Sequence, residues 1–306
     1  MTLTELRYIV TLAQEQHFGR AADRCNVSQP TLSIAVKKLE EELGTALFER
    51  SKTRVCPTPT GERVIEQAQR VIEQAAAIRD IANAGKDQLT SPFHLGAIFT
   101  IGPYLFPKLI PALQRCVADM PLYIEESYTA NLRKRIRHGD LDAIVVALPF
   151  TEADVVTQPL YDENFVILMD SKHPLTREKA IRPDQLNDCN VLLLGAGHCF
   201  RDQVLEACPN LKPSIDDPQG KIRTAAAGSS LETLKYMVAS GLGITILPES
   251  AAKAGHTSSE LLVTRPFVEP IPKRTVALAW RASFPRLKAI DAVRQAIVDA
   301  GVVSAP

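Results

Sequence analysis

Two cysteines, Cys199 and Cys208, share one short stretch of the chain, Gly195-Ala-Gly-His-Cys-Phe-Arg-Asp-Gln-Val-Leu-Glu-Ala-Cys208. Oxidation is the chemistry open to such a pair. Oxidants react with the thiolate rather than the thiol, so a sensing cysteine needs its pKa brought below the usual ~8.5. Cys199 follows Gly195-Ala-Gly197 and precedes the helix formers of residues 203–207. That order places it in a first helical turn, where unpaired N–H groups and the helix dipole favour an anion. His198 and Arg201 stand beside it as donors of hydrogen bonds or positive charge. An oxidised thiolate becomes a sulfenic acid, which a second thiol converts to a disulfide. The spacing alone does not decide this, because two unconnected buried cysteines would read the same way.

The remaining cysteines, Cys25, Cys56, Cys116 and Cys189, need no role beyond packing. The chain has no CxxC pair and no Cys/His cluster, so no structural zinc site is expected. It also has no GxGxxG and no metal triad, and no cofactor or enzymatic turnover is expected. With 35 basic and 35 acidic residues the net charge is zero, so any nucleic-acid footprint must be a local basic face balanced elsewhere. No run approaches the ~18 apolar residues of a membrane span. The first residues, MTLTELRYIV, lack the features of a signal peptide. A cytoplasmic protein without membrane contact is expected, in a compartment where thiols are reduced by default.

The elements that must position these cysteines come in two groups. Residues 2–15 carry Leu3, Leu6, Ile9, Val10 and Ala13 at helical spacing. A short helix around Ala21 and Ala22 follows, then a turn at Asn26-Val27. Ser28 is a natural N-cap for a third helix, and Pro30 is tolerated in its first turn. Leu32, Ala35, Val36, Leu39 and Leu43 form the apolar face of that helix. Pro30, Thr31, Ser33, Ile34, Lys37 and Lys38 form the opposite face, which suits a recognition helix in a major groove. Gly44 ends the helix, and residues 47–54 read as a short hairpin wing with basic tips. A solvated polar face on a small three-helix core is the competing reading.

Residues 61–83 read as a long helix whose Val64, Ala68, Val71, Ala75, Ile78 and Ala82 step by four and three as a dimerisation seam. Packing against the chain's own domain is the alternative. From Phe93 onward strands and helices alternate, which predicts α/β units around parallel sheets. Strands are expected at 93–98, 122–127, 143–148, 165–169, 191–194, 244–247 and 275–280. Helices are expected at 104–117, 131–138, 231–240 and 285–300.

This order resembles the LysR-type transcriptional regulators along essentially the whole chain. The matching stretches are Phe18-Gly-Arg-Ala-Ala22, Val27-Ser-Gln-Pro-Thr-Leu-Ser33, Leu39-Glu-Glu-Glu-Leu-Gly44, Leu47-Phe-Glu-Arg50, Thr58-Pro-Thr-Gly61, Gly139-Asp-Leu-Asp142 and Gly241-Leu-Gly-Ile-Thr-Ile-Leu-Pro248. The resemblance implies an α/β chain with a winged helix-turn-helix DNA-binding domain at 1–60, a linker dimerisation helix at 61–84 and a hinge at 85–92. An effector domain at 93–306 then divides into two Rossmann-like α/β subdomains, 93–162 plus 270–306 and 163–269. The DNA-facing set becomes Arg20, Ser28, Gln29, Pro30, Thr31, Ser33, Ile34, Lys37, Lys38, Arg50 and Lys52. Thr31 and Ser33 are expected near bases, and Lys37, Arg50 and Lys52 on phosphates.

The 195–208 stretch resembles the redox loop of the hydrogen-peroxide sensors of that family. It implies that Cys199 is the peroxidatic thiol and Cys208 its resolving partner. Thr100, Thr129, His198, Gln203 and Arg274 are then expected around the peroxide, with Arg265 a competitor for the arginine. The implied partners are a double-stranded DNA operator, hydrogen peroxide, further copies of the chain as homodimer or homotetramer, RNA polymerase and a cellular thiol reductant. A regulator of the same family gated by a small-molecule co-inducer in the cleft between subdomains is the alternative. A thiol peroxidase is a weaker one, because nothing in it explains the DNA domain.

Overall fold

The computed structural model describes residues 1–50, 55–82, 88–211, 230–254 and 261–300. At the N-terminus, α1 (Leu3–Glu15) opens on a capping box in which Thr2 and Glu5 satisfy each other's backbone N–H. The His17 ring nitrogen accepts from Gly19 and Arg20 to start α2 (Phe18–Arg24). Ser28 caps α3 (Gln29–Leu43) as expected, and Gly44 stops it at φ +66°, a left-handed conformation that suits glycine. Strands β1 (Phe48–Arg50) and β2 (Val55–Pro57) pair as an antiparallel wing. Leu6, Ile9, Leu12, Ala21, Leu32, Val36 and Leu39 are fully or almost fully buried together. Leu43, expected on that apolar face, is instead 38% exposed at the last position of α3.

The linker helix is α4 (Pro59–Ala82). Its expected seam divides. Ala68 and Val64 pack into the N-terminal core beside Ile65 and Ile72, whereas Val71 and Ile78 are exposed, Ile78 by 68%. The reason is that α1 lies along the first turns of α4, so only the later seam residues are open to a partner. On its other side α4 is clamped to the effector half. Arg281 Nε lies 2.8 Å from Glu73 Oε1, with both side chains about 10% exposed, and Nη1 of the same arginine donates to the carbonyls of Ile136 and Leu141. Arg137 pairs with Glu66 at 3.3 Å, Arg24 with Asp140 at 3.0 Å, and Arg70 with Asp154.

The effector half follows as β3 (Phe93–Ile98), α5 (Gly102–Cys116), β4 (Leu122–Ser127), α6 (Thr129–Arg137), β5 (Ala143–Ala147), β6 (Val155–Asp170), β7 (Val191–Leu192), α7 (Cys199–Ala207), α8 (Leu231–Ala239), β8 (Ile244–Pro248), α9 (Glu249–Lys253), β9 (Leu262–Pro266), β10 (Lys273–Arg281) and α10 (Leu287–Asp299). The strand order is β4-β3-β5-β10-β6-β8-β7, with β9 also on β6. The sheets are mixed rather than parallel. β3 is parallel to β4 and β5, and β7 to β8, but β10 runs antiparallel to β5 and β6, and β6 antiparallel to β8 and β9. The antiparallel members are the strands that carry the chain between the two halves.

The 165–169 strand is only the end of β6, which has 16 residues. Its first part pairs with β10 and its second with β8 and β9. Two cores form around it. One gathers Phe93, Leu95, Leu105, Ile144, Val145, Leu278 and Val293. The other gathers Phe165, Ile167, Phe200, Val204, Leu234, Ile246 and Phe267. Phe200 and Val204 thereby pin α7 to the second core.

Candidate functional site

Three helices begin at one place. β3 ends at Ile98 and the chain turns through Phe99 and Thr100 into α5; β4 ends at Ser127 and turns into α6 at Thr129; α7 begins at Cys199. The carboxyl ends of strands and the N-termini of helices are where open α/β folds hold ligands. Thr100, Thr129, His198 and Cys199 line a small cavity there, together with Phe99, Tyr128 and Gly197. Its volume of about 10 Å³ is close to the ~10–15 Å³ that one water occupies by the same measure. That is far below the ~300–1,000 Å³ of a typical small-molecule pocket.

The polar groups facing it are underused. Thr129 Oγ1 and His198 Nε2 are buried with no hydrogen-bond partner, and so is Gln203 Oε1 one helical turn along α7. A buried unpaired polar atom costs roughly 1–3 kcal/mol, so the two that line the cavity, Thr129 Oγ1 and His198 Nε2, mark a place built for a polar guest, with Gln203 Oε1 behind them. His198 is wedged between Tyr128 and Phe99, with ring centroids 4.8 and 6.0 Å away. Burial there lowers its pKa, so at neutral pH the ring is uncharged. Of the two roles expected for His198, hydrogen bonding or positive charge, this environment favours neutral hydrogen bonding. Arg201 turns away as well, with Nη1 on the Leu194 carbonyl at 3.0 Å.

Cys199 is half-buried at the first position of α7, and Cys208 is buried at its C-cap. Burial pushes the Cys208 thiol up to about 11, so it is a protonated, unreactive group in this conformation. The nine residues of α7 rise ~1.5 Å each, which separates the two cysteines by ~13.5 Å along the axis.

Of the other expected residues, Gln203 and Arg274 stand behind the cavity rather than on it. Gln203 Nε2 donates to the Leu148 carbonyl at 2.9 Å. Arg274, wholly buried, donates from Nη1 to Thr100 Oγ1 at 2.9 Å and from Nη2 to the Thr100 carbonyl at 2.8 Å. Arg265 is elsewhere, donating to the main-chain carbonyls of Thr176, Glu178 and Thr264. Sequence reasoning missed Tyr128 and Phe99, which fix His198, and Glu163, which holds Arg274.

A second candidate surface lies on α3. Gln29, Pro30, Thr31, Ile34, Lys37 and Lys38 are exposed and Ser33 is half-buried. Ser28 is exposed yet spends its hydroxyl on the Thr31 N–H and hydroxyl. Ile34 is 69% exposed, a placement that suits a thymine methyl better than water. Lys37 and Lys38 are about 70% exposed in loose pairs at 3.6 Å with Glu41 and Glu5. Arg20 donates to the Glu15 carbonyl. Arg50 ends β1, and Lys52 lies outside the described residues.

The family model for the bacterial regulatory helix-turn-helix protein of the lysR family matches residues 3–62, and that for the LysR substrate binding domain matches residues 86–301. The chain belongs to the LysR family. Among LysR relatives, the hydrogen peroxide-inducible genes activator of Haemophilus influenzae is 36% identical over 98% of this chain and 97% of that protein. The DNA-binding transcriptional dual regulator OxyR of Escherichia coli K12 is 34% identical over 97% and 95%. Among solved structures, a full-length cysteine-to-aspartate OxyR from Pseudomonas aeruginosa is 58% identical over 97% of this chain and 94% of that one, with a TM-score of 0.84. A peroxide-bound cysteine mutant of Corynebacterium glutamicum OxyR is 31% identical over 98% and 92%, with a TM-score of 0.64. No helix among the described residues is long and apolar enough to cross a membrane, and these residues contain no group of three or more metal-ligating side chains.

Proposed function

We propose that this protein is a DNA-binding transcription regulator that senses hydrogen peroxide through a reversible Cys199–Cys208 disulfide, working in the cytoplasm as a homodimer or homotetramer. One observation carries the reading: Cys199 borders a water-sized cavity lined by Thr100, Thr129 and His198, at the start of the helix whose other end buries Cys208. The Cys199 thiolate attacks one peroxide oxygen, the O–O bond breaks, and hydroxide leaves, so that sulfur is oxidised to the sulfenic acid and peroxide is reduced. Cys208 then displaces water from that sulfur to form the disulfide, which a cellular dithiol reductant later cleaves.

A disulfide needs Cα atoms within about 7 Å, and ~13.5 Å of helix rise separates these residues. Oxidation therefore unwinds α7, drawing Phe200 and Val204 out of the second core, and the changed surface repositions the subunits and their DNA domains. The working units are a winged helix-turn-helix at 1–60, a dimerising linker at 61–84, a hinge at 85–92 and an effector domain beyond it. The recognition face of the helix-turn-helix is Arg20, Ser28, Gln29, Pro30, Thr31, Ser33, Ile34, Lys37 and Lys38, joined by Arg50 and Lys52, and RNA polymerase is the partner downstream. A cavity that holds one water-sized molecule speaks against a metabolite co-inducer there.

Intact-mass measurement after substoichiometric peroxide tests the proposal. The expected product is a loss of two hydrogens mapped to Cys199 and Cys208, and the addition of one oxygen when Cys208 is serine. Peroxide-treated protein with both thiols still free to alkylation would overturn it.

A further inference from the structure

Glu163 has no part in the chemistry described so far, yet it is a carboxylate only 6% exposed in the middle of β6. Its register partner on β10 is Arg274, whose side chain is fully buried. Nε and Nη2 of Arg274 both lie 2.7 Å from Glu163 Oε2. The second oxygen, Oε1, accepts the Ser250 N–H at 2.9 Å at the start of α9. The pair is thus held at both ends, and the arginine also lies 5.3 Å from the Phe200 ring centroid, next in sequence to Cys199.

What the arginine does next is set by donor and acceptor counting. A guanidinium can only donate, whereas a threonine hydroxyl has one hydrogen to give and two lone pairs to fill. Nη1 donates to Thr100 Oγ1 and Nη2 to the Thr100 carbonyl. The arginine side of the hydroxyl is therefore an accepting side, and its single hydrogen must turn elsewhere. Thr100 lines the cavity beside Cys199. A lone arginine could not stay in this place, because a buried cation without its counter-charge is strongly destabilising.

We propose that Glu163 is a positioning residue that acts through Arg274 to turn the Thr100 hydroxyl hydrogen toward the cavity. This rests on the peroxide-sensing reading above. When Cys199 attacks, the S–O bond forms and the O–O bond breaks, and the electron pair goes to the departing oxygen. The Thr100 hydroxyl stabilises that oxygen as hydroxide, and it takes its proton from water. Donors aimed in advance at developing negative charge are among the strongest sources of rate acceleration.

The test uses the full-length protein with Cys208 replaced by serine, and measures Cys199 oxidation by hydrogen peroxide alongside its alkylation by iodoacetamide. Alkylation expels iodide rather than an oxygen anion, so it reports the thiol's access and reactivity without the Thr100 donor. Glu163→Gln keeps the shape and removes the charge. It is expected to slow oxidation at least about tenfold while alkylation changes less than about twofold, the pattern of an interaction made only in the transition state. Combining it with Thr100→Val should add little further loss, since both remove one interaction. Should Glu163→Gln not fold, Arg274→Lys keeps a buried cation against Glu163 but cannot reach both partners, and the same selective loss is expected. Oxidation within about twofold of the parent, or equal loss in both reactions, would overturn the role of Glu163. A parent protein whose Cys199 does not react with peroxide would instead overturn the sensing function.

Discussion

Replacing Val204 by alanine asks whether the 199–208 segment must leave its pocket when the disulfide forms. Val204 is completely buried in the second core and makes no side-chain polar contact with the cavity. Removing two carbons forfeits ~0.8 kcal/mol each, and the hole that remains brings the cost in the reduced form to about 2 kcal/mol. If α7 unwinds on oxidation, the oxidised form never had that contact and loses nothing. The reduced state alone is then raised, and reduction of the disulfide becomes harder by the same amount. For a two-electron couple 1.4 kcal/mol corresponds to ~30 mV, so the midpoint should move about 40 mV more negative. The assay is a redox titration of the full-length protein in dithiothreitol or glutathione buffers, with free thiols alkylated and counted by mass. Denaturant unfolding of the reduced form runs alongside it. A reduced form weakened by about 2 kcal/mol with a midpoint shifted by less than about 10 mV would mean that Val204 stays buried in both states. In that case α7 stays wound on oxidation even though both cysteines react.

Lys37→Ala should weaken binding to all DNA sequences alike and lower the slope of log affinity against log salt by ~0.9, as read by fluorescence anisotropy; an unchanged slope removes Lys37 from the phosphate contacts. Ile78→Glu puts a charge on the exposed end of the α4 seam and should shift the dimer toward monomer at micromolar concentration in equilibrium sedimentation, whereas an unchanged mass would place the seam outside the interface. Because burial lowers the His198 pKa, the unfolded chain takes up a proton on that ring before the folded one does, so its contribution weakens the fold as pH falls below the ordinary histidine value near 6.5. His198→Gln should therefore flatten the loss of denaturant stability between about pH 6.5 and 5, and a slope identical to wild type would show that the ring protonates in place.

The N-terminal helices could be read from the chain because their signals are local. Ser28 three residues before Thr31, and Gly44 after Leu43, mark the ends of α3 with side chains and backbone angles that need no distant partner. The start of α7 was legible for the same reason, and with it the separation of Cys199 from Cys208. Most of β6 was not. Residues 161, 163, 165, 167 and 169 are all buried, a clear alternation, but one of them is Glu163, and a charge at an inward position reads as solvent-facing. Its counter-charge, Arg274, lies 111 residues away, so the pattern became intelligible only once the two strands were side by side. Arg265 and Arg274 could not be separated in the sequence because each finds partners far along the chain, Arg265 at Thr176 and Glu178 and Arg274 at Thr100 and Glu163. The division of the α4 seam was hidden likewise, since heptad spacing says which residues share a face but not that α1 already covers the first of them.

The effector half grips α4 at Glu66, Arg70 and Glu73 and holds the DNA domain itself through Arg24 and Asp140, so the two move together as one lever. From Glu73 back to Pro59 is fourteen residues, ~21 Å of rigid rod at ~1.5 Å per residue. Turning that rod by about 10° swings its far end through ~4 Å, which is slightly more than the ~3.4 Å that a base pair occupies along the duplex. The effector half need only tilt modestly to change which base-pair step the recognition helix meets. In this design, angle at one end of a helix becomes register at the other.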